Sequence, residues 1–108
     1  MTGSALPGPE AFRPHIGTDF TIEEGAQQAV LRLAEVSDSG VSNGMHQFSL
    51  FFHGPADRIL PERIHALRHP SLGILEIFIA PVVGSNDRRT VYQACFSRPA
   101  DSVHEGPR

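Results

Sequence analysis

Histidine is the residue type in this sequence best suited to chemistry, because a neutral imidazole can bind a metal ion or transfer a proton near neutral pH. Two of the six histidines, His65 and His69, stand four residues apart. On a helix they would share one face, but Ala66 occupies the position of the glutamate in the His-Glu-x-x-His motif of zinc proteases. On a strand they would lie about 13 Å apart, too far to share an ion. We therefore expect neither a metal site nor a cofactor.

The other reactive residue types also lack the partners that catalysis needs. Glu23 and Glu24 precede Gly25 in a predicted turn, where paired carboxylates are usually solvated. Cys95 lies within a predicted strand without a basic neighbour to activate its thiol, which predicts a small buried or half-buried side chain. The sequence contains no nucleophile elbow, phosphate-binding loop or dinucleotide-binding motif. We predict that the protein is not an enzyme and has no catalytic residues.

Composition narrows the class of protein further. The 108 residues carry a net charge of -3, and the nine basic residues are arginines spread along the chain, so a nucleic-acid partner is disfavoured. The single cysteine, Cys95, excludes an internal disulfide and fits a cytoplasmic location. No apolar stretch approaches the roughly 18 residues of a membrane span, and no signal peptide is recognisable. We expect a cytoplasmic protein without a membrane segment.

The longest apolar stretch predicts the strand around which the fold is organised. Residues 72–83 read Leu-Gly-Ile-Leu-Glu-Ile-Phe-Ile-Ala-Pro-Val-Val and contain a single charge, Glu76. Their β-branched residues and the turn residues on both sides predict a buried central strand. Further strands are predicted at 29–36, at 46–53, at 90–96 and, as a short edge strand, around Phe20 and Ile22. A loop over 37–44 is expected to join the strands at 29–36 and 46–53 as a hairpin.

The segment 57–69 fits two kinds of secondary structure. Leu60, Ile64 and Leu67 recur at helical spacing, and Pro61 would be tolerated in a first helical turn. Residues 63–68 also alternate as a strand does, and we favour the strand. Five or six strands joined by short polar turns predict an all-β domain, either a small antiparallel barrel or a barrel-like sandwich. A closed barrel is favoured because it removes exposed strand edges.

The two ends of the chain differ from this middle part. Residues 1–18 are rich in glycine and proline and carry only scattered apolar side chains, and residues 98–108 also lack apolar density. Burial of so few side chains would not offset the entropy lost on ordering them. We predict a flexible N-terminal arm at 1–18, a single β domain at 19–97 and a flexible C-terminal tail at 98–108.

Several of these segments also resemble one family of proteins. They are the stretches Phe-Ser-Leu-Phe-Phe-His-Gly-Pro from residue 48, Leu-Pro from 60, Leu-Arg-His-Pro from 67, Leu-Gly-Ile-Leu-Glu-Ile-Phe-Ile-Ala-Pro-Val from 72 and Tyr-Gln-Ala-Cys-Phe from 92. They are similar to the motifs of a family of short bacterial all-β domains of unknown function. The resemblance covers about residues 18 to 97. His65 departs from it, because such domains more often carry an aromatic residue there.

This resemblance implies an all-β fold with a strand at 63–69, and it transfers no catalytic residues. It also implies an association with phage-tail-like or surface-fibre proteins.

One face of the strand at 72–83 predicts how the protein acts. Period-two geometry turns Ile74, Glu76 and Phe78 away from the core, and Phe51 points outward in its own strand by the same argument. If the two strands are neighbours, these residues form an apolar patch around one charge, which is typical of an interaction surface. Alternatively, the N-terminal arm or residues 57–64 cover the patch. We predict a protein-interaction or assembly module that binds itself or another protein, as a homo-oligomer.

Two other functions remain open from the sequence. The first is a small-ligand-binding barrel whose mouth carries His53, His65 and Arg68 as polar contacts. The second, an uncharacterised enzyme, would need a cluster of perturbed titratable groups that residue spacing cannot reveal.

Overall fold

The chain folds into a closed antiparallel β-barrel. A computed structural model describes residues 8–24, 27–57, 59–82 and 88–99. Two short helices come first and six strands follow: α1 (Pro9–Phe12), a 3₁₀ helix (Arg13–His15), β1 (Asp19–Glu24), β2 (Gln27–Ser42), β3 (Met45–Pro55), β4 (Arg63–His69), β5 (Gly73–Pro81) and β6 (Arg89–Pro99). The strands close in the order β1-β2-β3-β6-β5-β4. The predicted all-β class and small antiparallel barrel are confirmed.

The hairpin of β2 and β3 has a tighter turn than the sequence led us to expect. Asn43 and Gly44 both have positive φ, 54° and 77°, which is typical of a two-residue type I′ turn. The predicted loop over 37–44 is therefore wrong, because β2 continues to Ser42 and is still paired with β3 there. The glycine at 40, with φ of 82°, lies at an irregularity in this ladder and keeps the strand paired on both sides of it.

The barrel consists of a four-stranded sheet and a two-stranded hairpin, joined at two short seams. The hairpin of β4 and β5 is paired from Arg63 opposite Ile79 to His69 opposite Gly73. The seam between β1 and β4 contains the pairs Thr21–Arg68 and Ile22–Leu67. The seam between β5 and β6 contains Ala80–Gln93 and Pro81–Tyr92.

Two predictions about these strands are settled by the pairing. The segment from Arg63 to His69 is a strand, so the helical alternative for 57–69 is wrong. The prediction of a central strand at 72–83 is also wrong, because β5 pairs with β4 from Gly73 to Ile79 and meets β6 at Ala80 and Pro81, at its end. Its apolar character comes from an inner face in the core and an outer face that is apolar as well.

Alternate side chains of every strand fill the barrel, as period-two geometry requires. The predicted inward positions in β3, β5 and β6 are confirmed, although Leu75 and Phe96 are only half-buried. The buried core includes Phe20, Ile22, Leu31, Leu33, Phe48, Leu50, Phe52, Leu67, Ile77, Ile79 and Tyr92.

Tyr92 closes one end of the barrel together with the connection between β3 and β4. Leu60 of that connection is buried, and its backbone N–H donates to the Tyr92 hydroxyl oxygen at 2.9 Å. Gly54 makes room for the tyrosine ring, because a Cβ there would lie 3.1 Å from Tyr92 Cε2 and 2.6 Å from Leu31 Cδ2. The tyrosine thus needs both a glycine beside its ring and a donor for its hydroxyl.

The two N-terminal helices close the other end. Phe12 is fully buried and packs on Phe96, whose ring stacks on Phe48 with centroids 4.7 Å apart. The N–H of Gly17 donates to the carbonyl oxygen of Leu33 at 2.7 Å, which fixes the chain leaving the helices.

The predicted ends of the domain change accordingly. The prediction that residues 1–18 stay apart from the core is wrong for 8–18, because one aromatic side chain, Phe12, is enough to anchor the two helical turns. The C-terminal boundary also moves, since β6 runs to Pro99 rather than ending at 97. Residues 1–7 and 100–108 lie outside the described residues.

We expect Gly54→Ala to lower the free energy of unfolding by about 1–3 kcal/mol, as overpacking of a core does. The added methyl would overlap Leu31 Cδ2 and press on the Tyr92 ring. Urea unfolding followed by circular dichroism measures the effect. Leu31→Val removes the atom nearest the new methyl, so the double variant should lose less stability than the sum of the single variants. Strict additivity would contradict the proposed contact.

We also expect Tyr92→Phe to lower the free energy of unfolding, by about 1–3 kcal/mol, because it leaves the buried N–H of Leu60 without this acceptor. Urea unfolding again gives the value, and amide exchange at Leu60 should become faster. An unchanged exchange rate at Leu60 would mean that the hydroxyl does not hold this connection.

Candidate functional site

The outer face of the β4–β5 hairpin exposes a group of large apolar side chains. Ile74 and Phe78 of β5 are 65% and 51% exposed, and Ile64 of β4 is 62% exposed. Ile64 lies directly opposite Phe78 in the ladder, where side chains of neighbouring strands touch. We define the hairpin face as the six outward residues Ile64, Ala66, Arg68, Ile74, Glu76 and Phe78.

The hairpin face is arranged in cross-strand rows. Ile64 with Phe78 forms an apolar row at one end, and Ala66 with Glu76 forms the middle row. The third row pairs Arg68 with Ile74. The face is therefore largely apolar, has a small residue at its centre, and carries one acidic and one basic side chain on different strands.

Three of the four predicted interface residues lie on this face. Ile74, Glu76 and Phe78 are exposed, in the orientation that the alternation predicted. Phe51 does not join them. It is half-buried on β3 and faces Gln93 of β6, so a whole strand separates it from β5. The idea that residues 8–18 cover the face is also wrong, because those residues lie at the end of the barrel and leave Ile74 and Phe78 exposed.

The sequence reasoning missed the half of this face that β4 supplies. Ile64 was placed in a segment whose apolar spacing also fitted a helix, so its neighbours could not be assigned. The signal that places Ile64 on the outside is the same alternation that favours a strand here, in which His65, Leu67 and His69 are buried and the residues between them are exposed.

An ion pair joins the hairpin face to β1. Arg68 Nη2 donates to Glu23 Oε2 at 2.8 Å across the seam between β1 and β4. This hydrogen bond and the arginine charge lower the pKa of Glu23. Beside the pair is a shallow recess of about 300 Å³, lined by Thr21, Glu23, Ala66, Arg68 and Ile74. Glu23 lies in a strand, so the predicted turn at this position is wrong.

The residues predicted for a ligand site do not converge. His53 is on the outer side of β3, where partial burial and the charge of Arg89 lower its pKa. His65 points into the barrel, and its Nε2–H donates to the carbonyl oxygen of Pro61 at 2.8 Å. Arg68 is on the outer face of β4. An odd spacing between His65 and Arg68 puts them on opposite sides of one strand, so they cannot contact one small molecule together.

His69 is a buried histidine whose contacts define its tautomer. It is 4% exposed, and its Nδ1 accepts the backbone N–H groups of Ser71 at 3.0 Å and Leu72 at 3.4 Å. Nε2 lies 3.0 Å from Thr18 Oγ1, and that hydroxyl donates to the carbonyl oxygen of His15. The proton between His69 and Thr18 is therefore on Nε2. Burial, and then the charge of the nearby His15, lower the pKa of His69.

A third polar cluster lies near the irregularity in β2. Asp38 Oδ1 accepts the N–H of Gly40 and a hydrogen bond from His46 Nε2, each at 2.9 Å, and Arg13 lies 3.8 Å from the other carboxylate oxygen. The Gly40 N–H is the main cause of the lowered pKa of Asp38, followed by the hydrogen bond from His46. These contacts account for the cluster as a connection between the 3₁₀ helix and β2.

Groups with metal-binding or nucleophilic chemistry are not assembled in the described ranges. Within 8–24, 27–57, 59–82 and 88–99, no three His, Cys, Asp or Glu side chains are placed to hold a metal ion. Cys95 is exposed on the outer face of β6 and accepts a hydrogen bond from the Ser49 hydroxyl at 3.7 Å. The prediction of a buried or half-buried cysteine is wrong, because Ala94 and Phe96 take the inward positions on either side of it.

Comparison with known proteins identifies the family. The model of a domain of unknown function, DUF6916, matches residues 7–96. The chain belongs to this family. The match confirms the expectation that the chain belongs to a family of domains of unknown function. No curated protein and no solved structure matches the chain.

The DUF6916 match includes both helices, the first five strands and β6 as far as Phe96. The hairpin face and the Phe12 contact at the barrel end therefore both lie within the family domain. In the part of the chain that the structure describes, no helix has the length and apolar character needed to cross a membrane.

Proposed function

We propose that this DUF6916 domain is a non-enzymatic assembly module that associates with a second copy of itself through the hairpin face, in the cytoplasm. The observation that supports the proposal is the exposed apolar row of Ile64 and Phe78, together with Ile74. These positions face away from the barrel, where a solvated strand would carry polar residues. Their exposure leaves a contiguous apolar surface that burial against a partner would stabilise.

The charges on the hairpin face favour a second copy as the partner. A two-fold interface brings the same surface together twice, so each acidic group needs a basic group elsewhere on that surface. Glu76 and Arg68 lie on different strands in adjacent rows, so a second copy brings an Arg68, itself hydrogen-bonded to Glu23, within one row of Glu76. A protein of different sequence would need no such balance within a single face.

A specific packing follows from the cross-strand rows. A two-fold axis parallel to the strands would place β4 of each copy over β5 of the other. Ile64 of each copy would then face Phe78 of the other, which buries the apolar row. Glu76 would lie over the small side chain of Ala66, one row from Arg68. Sheets packed face to face lie about 10 Å apart, and a small residue leaves room for the acid between them.

We expect Phe78→Glu to abolish the association and to leave the fold intact, because the side chain is exposed and a carboxylate would face the apolar row of the other copy. The measurement is solution mass by light scattering over a concentration series. Val41→Glu is the matched control, since Val41 is an exposed apolar residue on β2, outside the hairpin face. The control should keep the mass of the unmodified protein, and circular dichroism should be unchanged in both variants.

Two outcomes would contradict the proposal. An unmodified protein that is monomeric at every concentration would exclude self-association. Oligomers that both variants retain would show that copies associate through another surface.

A further inference from the structure

His69 connects the N-terminal helices to the strands at one end of the barrel. Its Nε2–H donates a hydrogen bond to the hydroxyl oxygen of Thr18, the residue that follows the helices. The Thr18 hydroxyl in turn donates to the carbonyl oxygen of His15 at 2.6 Å. The two imidazole rings meet edge to face, with centroids 4.6 Å apart. The Phe20 ring of β1 also lies against His69, with the ring centroids 4.6 Å apart. One buried side chain therefore contacts the helical segment, β1 and, through Nδ1, the β4–β5 turn.

We propose that His69 is a pH-sensitive latch, whose protonation releases residues 8–17 from the barrel and uncovers the apolar end that Phe12 occupies. The latch is closed while the imidazole is neutral.

The hydrogen bonds of His69 require the neutral ring. Nδ1 accepts the N–H of Ser71 and of Leu72, so a proton on Nδ1 would face two donors and break both bonds. The turn between β4 and β5 would then have to move. Because the ring is buried, the cation would also lose its hydration, and buried unpaired charges are costly.

Among the residues that the structure describes, His15 is the charged group that acts on His69, and no carboxylate compensates it. From the 3₁₀ helix, the titratable group that faces the ring is His15, whose charge lowers the pKa of His69. From β1 the ring meets the neutral Phe20, while the carboxylate of Asp19 is exposed and lies 3.5 Å from Arg32. From β5, the residue opposite His69 is Gly73, which has no side chain.

Apart from His69, the helices are held by burial and by the backbone. Pro9 and Phe12 are buried, with Phe12 packed on Phe96, and the Gly17 and Thr18 backbones bond to Leu33. The contact of Arg13 with Asp38, at 3.8 Å, is on the surface. Two helical turns of seven residues do not persist on their own in water. Loss of the His69 contacts therefore releases the segment as a unit while the ladders of the barrel remain.

The direction of the pH dependence follows from linkage. A released His69 has the ordinary pKa of about 6.5, and the closed form has a lower pKa, so the closed form binds fewer protons between the two values. Closure is at full strength above about pH 6.5 and weakens as the pH falls below it. Within that window, the equilibrium constant for release of the helical segment rises by up to about tenfold for each unit by which the pH falls.

Hydrogen exchange with mass spectrometry tests the latch on the full chain, at about pH 7.5 and about pH 5.5, on either side of the histidine value. After correction for intrinsic exchange, peptides from residues 9–18 should lose protection severalfold to tenfold in acid, while β2 and β3 stay protected. His69→Asn supplies an oxygen near the Nδ1 position and cannot become cationic, so its exchange in 9–18 should not depend on pH. His53→Asn, a change on the outer side of the barrel, should respond like the unmodified protein.

Three results would overturn the proposal. The first is unchanged protection of 9–18 in acid, and the second is the same acid response in His69→Asn. The third is loss of protection in 9–18 only together with β2 and β3, which would be global unfolding. If His69→Asn does not fold, His15→Phe replaces it. Removing the second imidazole should shift the acid response to lower pH, and an unshifted response would contradict the latch.

Discussion

A barrel of six strands has two open ends, and its apolar interior has to be separated from water at both of them. In this domain each end is closed by a segment outside the ladders, held by one polar group inside the core. At one end the hydroxyl of Tyr92 accepts the N–H of Leu60. At the other, the imidazole of His69 holds Thr18 and the β4–β5 turn, and Phe12 fills the space. The apolar core depends on both closures.

The sequence predicted those parts of the fold that follow from local alternation. The inward side chains of β3 and β6 and the outward Ile74 and Phe78 were assigned from period-two geometry alone. The N-terminal closure could not be predicted, because Phe12 is a single aromatic residue in a stretch rich in glycine and proline, and its burial depends on distant strands. Phe51 was given the correct side of its strand but the wrong neighbours, since strand order is a property of the whole chain.

Only part of the candidate site could be predicted, because it depends on which strands are neighbours. The half supplied by β5 follows from one strand, whereas the half supplied by β4 required the pairing of Ile64 with Phe78. His65 and His69, whose spacing raised the question of a metal site, have a structural role in the described chain. Both side chains point inward and bind nearby backbone groups, so the core contains polar residues whose partners are fixed.

The two short seams have a consequence for the order in which the chain folds. Hairpins β2–β3 and β4–β5 join residues close in sequence, and their ladders can form with little loss of loop entropy. The seam between β1 and β4 joins Thr21 to Arg68 through two residue pairs only, so it gains little until both partners exist. Closure of the barrel at this seam is therefore expected late in folding, when the preformed β4–β5 hairpin docks on β1.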